Sequence, residues 1–244
     1  MLLNCDLGES FGAWKMGLDV DVMPHIDMAN IACGFHAGDP SVMAQTLTLA
    51  KEHSVSIGAH PSYPDLQGFG RRSLNMAKQD LIHCIHYQVA ALEGMANIAG
   101  MQLTYVKPHG ALYNDMMRDT SILETLLEAL SLYPSNLKLM LLATAQAEQH
   151  QNLANQYKVD LLLEAFADRL YTDDGLLTPR TQPNAVHNEE KLLEQVALLA
   201  SKQSVLTATG KTLFLPADTL CVHGDNLHAI NQIQKIKNIL SART

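Results

Sequence analysis

The sequence predicts an α/β fold in which about seven short strands alternate with helices and close into one barrel-like domain over residues 1–244. Three observations carry this. Short apolar runs such as Ile31-Ala-Cys33, Leu103-Thr-Tyr-Val106 and Thr219-Leu-Cys-Val222 recur, each followed by a polar turn rich in Gly or Pro. Between them lie longer segments with apolar residues at helical spacing. No internal linker or low-complexity segment interrupts the alternation. Periodicity does not establish closure, so an open doubly wound sheet is the runner-up.

In chain order, Met1 to Cys5 reads as the first strand and Asp6-Leu-Gly-Glu9 as its exit. The stretch from Asn30 to Asp39 runs from a buried strand end into a turn where Gly34 and Gly38 bracket His36. Asp39-Pro40 then has the form of a helix N-cap and first helical residue. The helix continues to about His53, with Val42, Thr46, Leu49 and Ala50 on one face. Val55 to Ala59 is a strand, leaving through His60-Pro-Ser-Tyr-Pro-Asp65 and the glycine-rich loop Gly68 to Arg72. A long helix follows from about Ala77 to Ala99, closed by Gly100. Leu103 to Val106 is a strand, with Lys107 to Asn114 as its exit loop.

Helices are expected over Thr120–Leu132, Ala145–Tyr157 and Asn188–Gln203, and strands over Leu137–Leu142 and Val159–Leu163. Glu164 to Tyr171 and the turn Asp173-Asp-Gly175 leave the sixth strand, and Pro179 and Pro183 mark an irregular loop. Thr219 to Val222 is the last strand, ending in His223-Gly-Asp225 before a C-terminal helix.

A hydrophobic content of 47% with 17% charged residues supports a large core. A formal net charge of -8 argues against nucleic acid or an anionic membrane as partner. There is no transmembrane-length apolar run and no basic-then-apolar leader, so a cytoplasmic protein is expected. The four cysteines lack C-x-x-C spacing and read as buried, reduced thiols; a catalytic thiol at Cys33 or Cys221 is the weaker reading.

With strands placed this way, polar groups gather at their C-terminal ends, where parallel α/β folds carry chemistry. The first strand brings Asn4, Asp6 and Glu9, and the second Asn30 and His36. The third brings His60, the fourth Lys107 and His109, the sixth Glu164 and Asp168, and the last His223 and Asp225. Any one of these histidines reads more readily as a loop residue bonded to backbone. Four in equivalent positions point to a site for proton transfer or metal binding. His83 and His86 share a helix face without a third ligand, and the other histidines read as surface or packing residues. Arg71, Arg72, Lys107, Arg169 and Arg180 all fall in strand-exit loops, which points to an anionic small ligand. Salt bridges to Asp65, Asp168 or Asp173 are the alternative for each. Ala208-Thr-Gly-Lys-Thr212 resembles the end of a phosphate-binding P-loop, but its first glycine would fall at Val205, so Gly210-Lys211 reads as an ordinary turn.

Several long motifs resemble the LamB/YcsF family. They are Asn4-Cys-Asp-Leu-Gly-Glu-Ser-Phe-Gly12, Asn30 to Pro40, Gly58-Ala-His-Pro61 and Asp65 to Arg72. Lys107 to Asn114, Phe166 to Tyr171 and Cys221 to Asp225 complete the set. The resemblance implies a distorted (βα)7 TIM-like barrel of the glycoside hydrolase/deacetylase type. It implies the A subunit of 5-oxoprolinase, working with 5-oxoprolinase subunits B and C on the small molecule 5-oxo-L-proline. The implied reaction is hydrolytic ring opening to L-glutamate at the expense of ATP, with release of ADP and phosphate. ATP, with a divalent metal such as magnesium accompanying it, is the implied cofactor. The chain departs from the family in three places: a short start before Asn4, Asn226-Leu-His228 in place of a Thr-Pro-Gly-like turn, and Pro183-Asn-Ala where Pro-Gly-Ala is usual.

A lactam carbonyl is a poor electrophile, so its hydrolysis gains from phosphorylation of the ring oxygen before or during attack by water. On this reading Asp6, Glu9, His36, His60, His109 and His223 are the catalytic candidates. Asn4, Asn30, Arg71, Arg72, Lys107, Asp168, Arg169 and Asp225 are the candidates for binding substrate or nucleotide. No metal ligand set is assigned. Two rivals stand beside this: a metal-dependent deacetylase or amide hydrolase working without ATP, in which Asp6 with His36, His60 or His109 could form a ligand set but whose usual H-x-x-x-H pair is absent here, and a non-catalytic subunit of the complex.

Overall fold

The computed structural model describes residues 1–222 and 227–241, with side chains in the last segment from 231 to 240. His223 and Asp225, expected at the rim, lie outside the described residues, as does the side chain of His228.

Seven parallel strands form a closed barrel. In order around it they are β1 (Leu2–Leu7), β2 (Met28–Ala32), β3 (Ser56–His60), β4 (Leu103–Val106), β5 (Lys138–Leu142), β6 (Leu161–Phe166) and β9 (Thr219–Val222). Closure comes from β9, which pairs with β6 on one side and β1 on the other. The open doubly wound sheet is therefore excluded. Two short strands outside the barrel, β7 (Ser204–Leu206) and β8 (Thr212–Phe214), form an antiparallel hairpin. Its turn contains Gly210 at φ +83°, in keeping with an ordinary turn at Gly210-Lys211.

Helices α1 (Asp19–Val22), α2 (Pro40–Glu52), α3 (Lys78–Ala99), α4 (Gly110–Arg118), α5 (Thr120–Ser131), α6 (Ala147–Tyr157), α7 (Glu189–Lys202) and α8 (Leu227–Ser241) accompany the strands. The Asp39 carboxylate caps α2 by accepting from the amides of Ser41 and Val42. In α3, Leu81, Ile85, Val89, Leu92 and Ala96 recur every three or four residues and are buried against the barrel. No described helix is long and apolar enough to cross a membrane.

Four features differ from expectation. The residues after Lys107-Pro-His109 form α4 instead of a loop, because Pro and Gly at its start hide a helix whose apolar positions begin only at Ala111. Strand β6 runs to Phe166, so Glu164 is a strand residue and not part of an exit. The α1 turn with the 3-10 segment Met23–His25, and the β7–β8 hairpin, carry too few periodic residues to announce themselves. Asn184, standing where the family usually has Gly, adopts φ +61°. Asn is among the few side chains that tolerate that left-handed region, so the turn survives the exchange.

Inside the barrel the side chains stack in layers. Met28, Tyr105, Met140 and Leu162 make an apolar floor. Above it the same strands turn polar, since residues two apart share a face. Asn4 and Asp6, Met28 and Asn30, Tyr105 and Lys107, and Leu162 and Glu164 are such pairs.

Candidate active site

The polar layer is a connected network beneath the C-terminal mouth. Asn30 donates through Nδ2 to Asn4 Oδ1 and Asp6 Oδ1, both at 2.8 Å, and accepts at Oδ1 from the Tyr105 hydroxyl at 2.7 Å. The Lys107 ammonium lies 2.9 Å from Asp6 Oδ1, 3.1 Å from Glu164 Oε2 and 3.3 Å from Asn4 Oδ1. Burial by itself would lower the pKa of Lys107, but the carboxylates of Asp6 and Glu164 reverse this and hold it well above its ordinary value. Lys107 is a fixed internal cation. Its donors are committed to protein acceptors, so it neutralises the two carboxylates instead of reaching for a ligand.

Above this layer three imidazoles and a carboxylate converge. His60 Nδ1 lies 2.7 Å from the Lys107 carbonyl oxygen, and His109 Nε2 lies 3.0 Å from the Phe69 carbonyl oxygen. A carbonyl only accepts, so each of these nitrogens carries the hydrogen. The remaining nitrogens, His60 Nε2 and His109 Nδ1, face each other at 2.9 Å. Glu9 Oε1 stands 3.2 Å from His36 Nε2 and 3.5 Å from His109 Nδ1, and Asp6 Oδ2 lies 3.3 Å from His60 Nε2. The rings of His36 and His109 stack with centroids 3.7 Å apart. Burial first, then the neighbouring rings, hold both histidines well below the ordinary pKa, so they are neutral at pH 7.

Glycines bring the walls together. Gly70 and Gly110 both have positive φ, +65° and +58°. A Cβ on Gly110 would sit 2.4 Å from the Gly70 carbonyl oxygen, and one on Gly70 would sit 2.8 Å from His109 and 2.9 Å from His36. The β3 exit loop thus lies directly on the histidines, and its Gly70 carbonyl accepts from the Ala111 amide at 2.8 Å.

The network opens into a cleft of about 480 Å³, lined by Asp6, Glu9, His60, Lys107 and His109 on one side and by Arg71, Arg118, Arg169 and Arg180 elsewhere. Of the sequence-predicted residues, the structure brings Asp6, Glu9, His36, His60 and His109 into one cluster, with His36 behind the surface. Asn4 and Asn30 are fully buried and hold Asp6 and Lys107 in place, one layer too deep to touch a ligand. Arg72 turns away from the cleft to pair with Asp65, which holds that carboxyl below its usual range. Arg71, its neighbour, lies over the Phe69 ring at 5.0 Å and lines the cleft. Arg169 lines it as well, although its guanidinium donates to the Thr178 carbonyl at 2.7 Å. Asp168 is not part of the cleft wall.

Two groups carry too little sequence signal to be found in advance. Arg118 reaches the cleft from the end of α4, and Gly110, Asn114 and Arg118 at intervals of four are the only hint of it. Tyr113 lies buried beside Glu164, and burial followed by that carboxylate raises its phenol pKa well above the ordinary value. All four cysteines are free and buried. Burial raises the thiol pKa of each, that of Cys33 to about 12, so none is a thiolate nucleophile at neutral pH. His83 and His86 do not form a metal pair: the first faces Gln79, and the second donates to the Ala129 carbonyl.

Comparison with known proteins agrees along the whole chain. The family model described as LamB/YcsF family matches residues 1–244. A protein of Vibrio campbellii, named as the A subunit of 5-oxoprolinase, is 55% identical over 241 residues, covering 98% of this chain and 95% of its own. One of Pseudomonas putida, named as 5-oxoprolinase A subunit 2, is 53% identical, covering 98% and 93%. A crystal structure of a lactam utilization protein from Thermus thermophilus superposes with a TM-score of 0.90 at 33% identity, covering 99% and 96%.

Proposed function

The chain belongs to the LamB/YcsF family, and from that premise we propose that it is the A subunit of a 5-oxoprolinase. In this reading it opens the lactam ring of 5-oxo-L-proline hydrolytically to L-glutamate, driven by ATP and assisted by subunits B and C in the cytoplasm. Relatives above half identity that carry this name support the assignment. So does the cleft, and one observation there carries most weight: a buried acid–base cluster and a set of arginines share one mouth.

The chemistry divides between these parts. The substrate has a carboxylate and, once its lactam carbonyl oxygen takes the γ-phosphoryl group of ATP, a phosphate. Arg71, Arg118 and Arg180 are suited to both as bidentate donors, in a cleft without a P-loop. Water then adds to C5 and the C5–N bond breaks as the nitrogen takes up a proton, leaving an acyl phosphate. A second water hydrolyses this to the L-glutamate side-chain carboxylate and free phosphate. Glu9 and Asp6, with His109 and His60 beside them, are placed to accept the proton of water and to return one to the ring nitrogen. Lys107, 2.9 Å from Asp6 Oδ1, balances the charge of that carboxylate.

The test is turnover of 5-oxoproline with and without ATP, and with and without subunits B and C. Glutamate formation that needs ATP and all three subunits supports the reading. Hydrolysis by the chain alone without ATP would replace it with an ATP-independent amide hydrolase. Full activity of complexes carrying His60→Ala, His109→Ala or Asp6→Ala would remove the proposed site.

A further inference from the structure

In the histidine cluster two acceptor nitrogens face each other. The Lys107 and Phe69 carbonyls fix the protons of His60 and His109 on their outer nitrogens, which leaves two lone pairs facing each other at 2.9 Å. Asp6 Oδ2 and Glu9 Oε1, both acceptors, crowd the same nitrogens at 3.3 and 3.5 Å. Two lone pairs in this arrangement repel one another unless a cation lies between them. A proton is one such cation, but it would place a charged imidazolium against the stacked ring of His36 in a buried position.

We propose that Glu9, His36, His60 and His109 bind a divalent transition-metal ion of the zinc class. One donor atom from each lies within 4.8 Å of the others. An ion bound at about 2.05 Å in a tetrahedral shell would separate its ligand atoms by about 3.3 Å. The distances of 2.9 Å (His60 to His109), 3.2 Å (His36 to Glu9) and 3.5 Å (His109 to Glu9) bracket that value. The two carbonyl acceptors are the outer partners that orient metal-bound imidazoles and fix their tautomers. Three imidazoles with one carboxylate favour zinc, iron, nickel or copper over magnesium or calcium, which prefer oxygen shells. This ion is distinct from any magnesium accompanying ATP. The proposal stands on ring geometry alone and holds whichever substrate fills the cleft.

The experiment uses the full chain, stripped with chelator and dialysed against Zn²⁺ or Co²⁺. One equivalent of metal per chain is expected, with the intense visible absorption of four- or five-coordinate Co²⁺. His60→Ala and His109→Ala should lose that equivalent while circular dichroism shows them folded. A folded chain that takes up no metal, or variants that keep the full equivalent, would overturn the proposal. If the variants do not fold, the wild-type cobalt spectrum decides: weak octahedral bands of an aquo-like ion refute the site, and strong low-coordinate bands support it. Because metal content is read without substrate, this outcome is independent of whether the protein opens a lactam.

Discussion

The two ends of the barrel both carry a cleft, and the larger one is chemically poor. At the N-terminal ends of β5 and β6 a cleft of about 610 Å³ is lined by residues such as Ser131, Asn136, Lys138, Lys158 and Asp160. Among the described residues it contains no histidine and no buried charge pair. At the C-terminal ends the smaller cleft of about 480 Å³ gathers Asp6, Glu9, His60, Lys107 and His109 with several arginines. Size does not separate the two; strand direction does. Parallel strands deliver successive exit loops to one end, so polar residues from distant parts of the chain meet there. The other end receives helix-to-strand connections, whose residues serve packing.

This contrast breaks most easily at Lys107. Lys107→Met leaves Asp6 and the fully buried Glu164 facing each other without a cation. A stability loss of about 3–5 kcal/mol is expected in urea unfolding. A variant as stable as the parent would show that the interior charges are not a working set. Next in size, His109→Ala should keep the fold and lower 5-oxoproline turnover by about 10²–10⁴-fold in the assembled enzyme. An unchanged rate would move the chemistry elsewhere.

Gly110→Ala tests the close approach of the two loops. Its Cβ would collide with the Gly70 carbonyl, in a backbone region that suits glycine. A loss of about 1–3 kcal/mol is expected, read as a lower thermal midpoint. Asp65 gives a smaller, pH-dependent effect. Arg72 and backbone amides hold its carboxyl below the ordinary aspartate range. A depressed folded-state pKa contributes stability that is whole above the unfolded value and is lost as pH falls through the folded one. Melting curves taken as the solution is acidified through the carboxylate range should therefore fall less steeply for Asp65→Asn than for the parent, and parallel curves would deny the carboxylate that role. Smallest of all, Lys138→Ala at the opposite cleft should change stability by less than about 0.5 kcal/mol and leave turnover unaltered. A clear loss of turnover there would overturn the contrast between the ends.

Much of this was legible in the sequence because it rests on local chemistry. Asp39-Pro40 marked the start of α2, and the histidines at the C-terminal ends of β2, β3 and β4 met as their positions required. What stayed hidden depends on depth and direction. Asn4 and Asp6 share a strand face, but only the closed barrel shows that Asn4 sits a layer below the cleft while Asp6 reaches it. Arg71 and Arg72 are adjacent and chemically alike, yet the Asp65 carboxylate claims one and the cleft keeps the other. Closure itself depends on β9 finding both β1 and β6, a pairing between the two ends of the chain that no periodicity encodes.

The β3 exit loop holds two unrelated hydrogens at once. The Phe69 carbonyl receives the one on His109 Nε2, and the next carbonyl, of Gly70, receives the one on the Ala111 amide at the start of α4. Lifting the loop to widen the mouth releases both together. The imidazole would then be free to exchange its tautomer at the moment the helix end becomes accessible to solvent. Deuterium uptake at the Ala111 amide is therefore expected to follow the same opening that frees His109 Nε2.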